Sequence, residues 1–233
     1  MHAAPKKKTS ESKKTAKAKQ AQSTSECKRC GTCCTKGGPA FHYADKALIE
    51  DGVIQSKHLY TIRKGEWAYN NVRRCLEAVG SDIIKIREKN NSRTCIFFDE
   101  TQSACAIYEN RPSECRALKC WDTRDLEDLY AKKRLTREEL ISEIEGLWGL
   151  IKDHQQRCDY EIIQKLVNAI NLHTGDVKAR LKLAEIMKFD TEIRKLVVST
   201  AGLEPEMLDF LFGRPLTQTV KRMGLKAYGS ILK

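Results

Sequence analysis

The sequence predicts an α+β protein, mainly α, in which an irregular cysteine-rich lobe with a small antiparallel meander precedes a helical C-terminal lobe. Nine of the ten cysteines lie between Cys27 and Cys120, and short β-type runs separated by turns lie in the same region. Helical periodicity dominates after Asp122. The predicted units are a tail over residues 1–25, a cysteine-cluster metal-binding domain over 26–122 and a helical region over 123–233.

The N-terminal segment is rich in lysine and has no aromatic residue. Seven lysines against Glu11 and Glu26 give residues 1–26 a charge of +5, out of +11 for the whole chain. Such a composition buries too little apolar surface to offset the entropy of ordering, so we expect a disordered tail. Contact with nucleic acid is expected only weakly and through this tail, because no basic face with interleaved aromatic residues is evident beyond it.

The chain has the sequence character of a cytoplasmic protein. It has no apolar run of the roughly 18 residues that a transmembrane helix needs, and no apolar segment follows the basic N terminus as in a secretory signal. We therefore expect no membrane partner. In a reducing cytosol, metal binding or catalysis explains ten cysteines better than five disulfides do.

The helical half begins with a clear local signal. The Thr136 hydroxyl can accept from the Glu139 amide while the Glu139 carboxylate reaches back, which is a capping box. Apolar residues then recur at helical spacing over Leu140–Ile151. Further helices are predicted at Tyr160–Leu172, Val177–Met187, Glu192–Ala201 and Pro205–Phe212.

The first cysteine run points to a metal centre. Cys27, Cys30 and Cys33 are spaced by two residues, so three thiolates can converge on one centre as in iron–sulfur loops, whereas structural zinc usually uses separated C-x2-C pairs. We therefore predict an iron–sulfur cluster, [4Fe–4S], with Zn²⁺ as the alternative. Because neighbouring side chains normally diverge, Cys34 either serves a second centre or is buried for packing or redox chemistry.

Two further thiols are predicted to meet across a hairpin. If residues 99–103 close a turn with Phe97 opposite Cys105, then Cys95 lies diagonally across from Cys105 on the same face. Their backbones would be about 7–8 Å apart, which is close enough for two thiolates to share a centre. A one-residue slip in register would place the two side chains on opposite faces.

The last two candidate ligands lie near a predicted helical turn. Pro112 can occupy the first position of that turn, ahead of Cys115. Cys115 and Cys120 are about 140° apart around a helix, so they share a site only if the helix ends between them. The predicted metal ligands are Cys27, Cys30, Cys33, Cys34, Cys95, Cys105, Cys115 and Cys120.

Four other residues have a structural interpretation beside a functional one. Cys75 is expected to be a packed thiol. His154 and Cys158 are four residues apart on a predicted helix, a spacing that can ligate metal, but no second such pair exists and coincidence is favoured. His42 is expected to be structural, with metal ligation or proton transfer as the alternative.

Three motifs carry a family resemblance: Cys27-x2-Cys30-x2-Cys33-Cys34, Cys95-x9-Cys105 and Ile107-Tyr108-Glu109-x-Arg111-Pro112-x2-Cys115-Arg116. Together they resemble the YkgJ-type cysteine cluster family of zinc- or iron-chelating domains, whose pattern includes flagellin lysine-N-methylases. The resemblance covers residues 27–121 and implies metal binding by seven matching cysteines. Cys120 is added on chemical grounds. Arg111 and Arg116 match as well, and either offset thiolate charge or form ordinary salt bridges.

These observations favour an iron–sulfur protein with a redox or protein-modification role, acting on a protein partner or substrate that the sequence does not identify. The alternative is a structural zinc-binding interaction module without catalysis. Metal storage or delivery is a third possibility, and its mark would be an exposed, labile centre. No glycine-rich loop for a methyl-donor nucleotide is evident, so enzymatic activity stays an open question.

Overall fold

The computed structural model describes residues 27, 29–89, 92–130, 132–173 and 176–225. The tail predicted over residues 1–25, the turn residues Asn90 and Asn91, and Gly175 lie outside this described part. Within it, no helix combines the length and the apolar character needed to cross a bilayer.

In the described part of the chain, short strands pair two by two as antiparallel sheets. The strands are β1 (Leu59–Ile62), β2 (Trp67–Asn70), β3 (Cys75–Ala78), β4 (Ile83–Ile86), β5 (Phe98–Asp99) and β6 (Ala104–Cys105). β1 pairs with β4, β2 with β3 and β5 with β6. Small antiparallel sheets followed by helices confirm the predicted class, α+β and mainly α.

β4 pairs with a strand that lies earlier in the chain, and the residues just after β4 meet the next segment of the meander at an isolated antiparallel bridge between Glu88 and Cys95. β4 pairs with β1, so that Leu59 lies opposite Ile86 and Ile62 opposite Ile83. Leu59 and Ile86 are fully or almost fully buried. Burial of apolar side chains on one face therefore favours this pairing, and a segment distant in sequence supplies it.

The β5–β6 hairpin has a register shifted by one residue from the prediction. Phe98, not Phe97, lies opposite Cys105. Phe98 is buried in the core, and the Asp99 carboxylate accepts from the Thr101 amide at 2.8 Å, which fixes the start of the turn. Core packing of Phe98 together with this turn explains the shift.

The helices are α1 (Lys46–Glu50), α2 (Ser113–Ala117), α3 (Arg124–Leu129), α4 (Arg137–Ile141), α5 (Glu145–Arg157), α6 (Tyr160–Leu172), α7 (Val177–Ala201), α8 (Leu208–Leu211) and α9 (Leu216–Arg222). The capping box of Thr136 and Glu139 is present, and α6 has the predicted bounds. The segment after the capping box is split between α4 and α5, and the two helices predicted within α7 are one. A 3-10 turn and α8 occupy the helix predicted at Pro205–Phe212, and α9 was not predicted.

One hydrophobic core draws on both the cysteine-rich half and the helical half. Phe41, Ile84 and Phe98 pack in the same buried cluster as Ile151 and Phe212. A second cluster joins α6, α7 and α9. The division at residues 122 and 123 stays a prediction.

Buried polar contacts connect the same two halves. Arg137 at the start of α4 donates to the Asp82 carboxylate at 2.6 Å and to the Leu211 carbonyl at 2.5 Å. The Thr61 hydroxyl donates to the Phe210 carbonyl at 2.7 Å. These bonds fix β1 and β4 against the C-terminal helices.

Candidate metal centre

The loop that carries the first candidate thiols turns at Gly31. Its φ is +73°, in the left-handed region, and a Cβ atom at this position would overlap the ring of Phe98. The Thr35 amide then donates to the Gly31 carbonyl at 3.2 Å. Glycine is required here both for its backbone conformation and for the close approach of the ring.

The backbone joins this loop to the next candidate ligand. The amide of Cys95 donates to the carbonyl of Cys34 at 2.7 Å, and Cys95 is only 7% exposed. Cys105 in β6 lies opposite Phe98, the residue that packs against Gly31. Ordinary folding contacts therefore bring three cysteine-bearing segments together.

Helix α2 presents Cys115, and a buried carboxylate holds the start of that helix. Asp45 is fully buried. One of its oxygens accepts from the Ser113 amide at 2.8 Å and from the Ser113 hydroxyl at 2.6 Å. Arg116 lies 3.3 Å from the same oxygen. Asp45 is thus a supporting residue that no local sequence pattern marks, because its partners are distant in the chain.

His42 and Glu114 anchor the same helix from a second direction. His42 Nδ1 lies 2.7 Å from the Lys132 carbonyl, and Nε2 lies 3.4 Å from a Glu114 oxygen. Glu114 also accepts from the Ala40 amide at 2.7 Å. Burial lowers the pKa of His42, but the contacts with Glu114 and with the Lys132 carbonyl together outweigh burial and the pKa is raised. With both ring nitrogens engaged, His42 acts as a structural residue.

The adjacent thiols of Cys33 and Cys34 lie close together, with 3.9 Å between their sulfur atoms. The expected divergence of these side chains is wrong, because Cys33 has helical φ and ψ of −68° and −37°. Successive side chains in that conformation are separated by about 100° around the axis, not by the 180° of a strand.

The proximity of the pair changes its acidity. A hydrogen bond from the Cys34 thiol to a Cys33 thiolate lowers the pKa of Cys33 to about 6, and the charge of Arg111 lowers it further. The same hydrogen bond raises the pKa of Cys34. The pair therefore loses its first proton easily and its second with difficulty.

Five thiols form one electrostatic group. Burial raises the pKa of Cys95 and of Cys115, and charge on other thiols of the group raises both further. Charge on Cys105 and on Cys95 likewise raises the pKa of Cys34. We call Cys33, Cys34, Cys95, Cys105 and Cys115 the thiol cluster. A cation would relieve the mutual repulsion of its thiolates.

The other three predicted ligands lie at the edge of the thiol cluster or apart from it. Cys27 and Cys30 are exposed. A hydrogen bond with Thr32 lowers the pKa of Cys30, whereas charge on Cys33 raises it. This effect of Cys33 indicates that Cys30 lies near the cluster. Cys120 is exposed in the turn beyond α2, and its membership in the ligand set stays a prediction.

The donor set of the thiol cluster fits zinc or thiolate-bound iron. Thiolates are soft donors that select these metals over magnesium or calcium. A tetrahedral zinc ion with Zn–S bonds of about 2.3 Å places its sulfur ligands about 3.8 Å apart, and the sulfur atoms of Cys33 and Cys34 are 3.9 Å apart. Binding requires loss of the thiol protons.

Cys75 lies outside the cluster and is exposed in β3. Its sulfur is 3.9 Å from a Glu77 oxygen. The packed thiol predicted at this position is wrong, because the β2–β3 hairpin leaves most of its side chains in solvent: Tyr69 and its cross-strand partner Leu76 are 58% and 56% exposed.

Cys158 belongs to a second buried group, with ligand atoms of His154 and Asp190 within 4.8 Å. Asp190 is already bonded to His154 at 2.8 Å, Arg194 at 3.0 Å and the Leu216 amide at 2.9 Å. Burial raises the pKa of Cys158 to about 12. A protonated thiol and a carboxylate paired with a guanidinium make this group a core network, not a metal site.

The fold and the thiol cluster define a protein with a thiol-rich metal-chelating domain. Residues 26–139 match the family model CxxCxxCC, described as a "Putative zinc- or iron-chelating domain". The match covers just under half of the chain and supports metal binding by this segment. Neither a curated protein nor a solved structure matches the chain.

Proposed function

We propose that the thiol cluster binds one zinc or iron ion and that the protein stores or delivers this ion. The observation that carries the proposal is the position of Cys33, which is exposed while its sulfur lies 3.9 Å from the sulfur of Cys34 in the cluster. An accessible thiolate is the point at which an acceptor molecule can reach a bound ion.

The remaining thiols of the cluster have a different role. Cys95 is buried and its backbone is fixed to Cys34. Cys115 is fixed through α2 by Asp45. These residues would retain the ion while its bond to Cys33 is replaced by a bond to an acceptor molecule. The ion itself would supply the positive charge that neutralises the thiolates.

The test combines metal analysis with transfer kinetics. Protein purified anaerobically under reducing conditions is expected to contain one zinc or iron ion per chain and no acid-labile sulfide. The zinc form is then mixed with a chromogenic chelator at several concentrations. A release rate that rises with chelator concentration supports attack at an exposed ligand. A rate that is independent of chelator concentration would reject exchange at Cys33 and leave a closed structural site.

A second candidate is a [4Fe–4S] cluster with a redox or protein-modification role. The C-x2-C-x2-C spacing of Cys27, Cys30 and Cys33 supports it. In such a cluster the thiolates bind separate iron atoms, so Cys33 and Cys34 would not share one ion. A brown protein with absorbance near about 400 nm and matching iron and sulfide contents would establish this candidate in place of the single-ion site.

A further inference from the structure

Two guanidinium groups pack on the ring of Tyr108. The guanidinium carbon of Arg29 lies 4.1 Å from the ring centroid, and that of Arg111 lies 3.5 Å from it. Arg29 stands between Cys27 and Cys30. The Tyr108 amide donates to the Cys105 carbonyl at 3.2 Å. The ring therefore connects the exposed N-terminal cysteines to a segment of the thiol cluster.

Tyr108 is held firmly from the side of α2. Arg111 Nε donates to the Tyr108 carbonyl at 2.6 Å. The Arg111 carbonyl accepts from Arg116, and Arg116 contacts the buried Asp45. A continuous set of contacts thus runs from the core to the ring, so the ring is a fixed platform for Arg29.

Three residues, Cys27, Arg29 and Cys30, which we call the cysteine arm, have weaker attachments. Among the described residues, the hydrogen bonds of the arm stay local, with Cys30 Sγ 3.2 Å from Thr32 Oγ1. Arg29 has φ of +51°, a conformation that a non-glycine residue adopts only when other contacts favour it. The stacking on Tyr108 is such a contact.

We propose that Arg29 and Tyr108 form a latch that holds the cysteine arm beside the thiol cluster. Both are positioning residues: they keep Cys30 near Cys33 and hold the chain that carries Cys27, so that these thiols recapture an ion that begins to leave. This inference rests on the proposed function, since it concerns the rate at which the bound ion departs. Cation–π contacts stabilise through the ring face, so the latch needs an aromatic ring but not the phenol hydroxyl.

The experiment compares zinc release to a chelator across matched variants. Arg29→Ala and Tyr108→Leu are expected to release zinc about twofold to thirtyfold faster than the wild type, the range that loss of one cation–π contact gives. Tyr108→Phe keeps the ring and should release zinc at the wild-type rate. Arg157→Ala removes a comparable contact, 4.6 Å from the Phe189 ring, and should also have no effect.

Alkylation followed by mass spectrometry gives a second readout. In Arg29→Ala, Cys27 and Cys30 should react with iodoacetamide faster than in the wild type, with or without zinc, because the latch is formed by protein side chains alone. Cys95 and Cys115 should keep their wild-type reactivity, which separates a released arm from general unfolding.

The outcomes distinguish the latch from the proposed function. If zinc binds and Arg29→Ala matches the wild type in both release and alkylation, the latch is wrong and the metal site stands. If the wild type binds no zinc or iron, the proposed function fails. The alkylation rates of the metal-free proteins then still decide the latch: equal rates overturn it, and a faster reaction of Arg29→Ala supports it.

Discussion

The amide of Cys95 donates a hydrogen bond to the carbonyl of Cys34 at 2.7 Å, so two candidate ligand segments are joined through their backbones. Cys95 is also packed in the hydrophobic core. Backbone and core contacts of the protein itself therefore help to bring these thiols together. A site arranged in this way loses less conformational entropy on binding than a disordered loop does.

Removal of one thiol of the cluster should abolish tight metal binding. We expect Cys95→Ser or Cys115→Ser to weaken zinc affinity at least about a hundredfold, because a hydroxyl does not replace a soft thiolate donor. Competition titration with a chelator measures the affinity. Cys75→Ser is the matched control, since Cys75 is exposed in β3, and its affinity should equal that of the wild type. A similar loss in the control would contradict the assignment.

Gly31→Ala should disturb the loop that carries Cys30 and Cys33. The added methyl group meets the ring of Phe98, and the left-handed φ of +73° disfavours any side chain. We expect a loss of about 1–3 kcal/mol in the free energy of unfolding, together with weaker zinc binding. Urea denaturation and chelator competition measure the two effects. Gly52→Ala shares a φ of +73° but has no neighbouring atom within 4 Å, so it reports the backbone contribution alone. Equal losses in the two variants would show that contact with Phe98 is unimportant.

Asp45→Ala should loosen the helix that presents Cys115. The variant leaves the Ser113 amide and hydroxyl without their buried acceptor. We expect a loss of about 2–4 kcal/mol in the free energy of unfolding of the metal-free protein. Asp122→Asn, which removes an ion pair with the exposed Arg124, should leave the urea midpoint unchanged. The role given to Asp45 is untenable if both variants have the same midpoint.

Stability should depend on pH through His154. Burial lowers the pKa of His154 to about 4, below the ordinary value of about 6.5. Between about pH 6.5 and 4 the unfolded chain takes up a proton that the folded protein does not. The free energy of unfolding contributed by this group is therefore intact above about pH 6.5, and about 3 kcal/mol is lost as the pH falls to 4.

Comparison with His154→Gln isolates this effect. Urea denaturation of the metal-free, reduced proteins should give a shallower pH dependence for the variant across that window, by about one proton. His42, whose pKa is raised, titrates in both proteins and cancels in the difference. Parallel curves for the wild type and the variant would contradict the assignment.

The helices that the sequence predicted best depend on local signals. The capping box at Thr136 and the bounds of Tyr160–Leu172 follow from neighbouring residues alone. The continuity of α7 does not follow from neighbouring residues alone. Asp190 at its centre has a low helix propensity, and its bonds to His154 and Arg194 hold it there. Tertiary contacts decide such positions.

The candidate site divides in the same way. The cysteine spacing and the motif around Arg111 and Cys115 identify the metal-binding segment from the sequence alone. The hairpin register, the partner of β4 and the role of Asp45 depend on residues far apart in the chain. The closeness of Cys33 and Cys34 follows from the backbone conformation of one residue, which spacing does not reveal.

Arg137 has a practical consequence for truncation of the chain. The family match ends at residue 139, just after Arg137, whose guanidinium bonds to the carbonyl of Leu211. Phe41 and Ile84 pack in the same hydrophobic core as Phe212. A fragment cut at the family boundary would therefore expose apolar surface and a buried cation, and would aggregate on expression. We therefore expect that a fragment which keeps the thiol cluster folded must extend through the C-terminal helices.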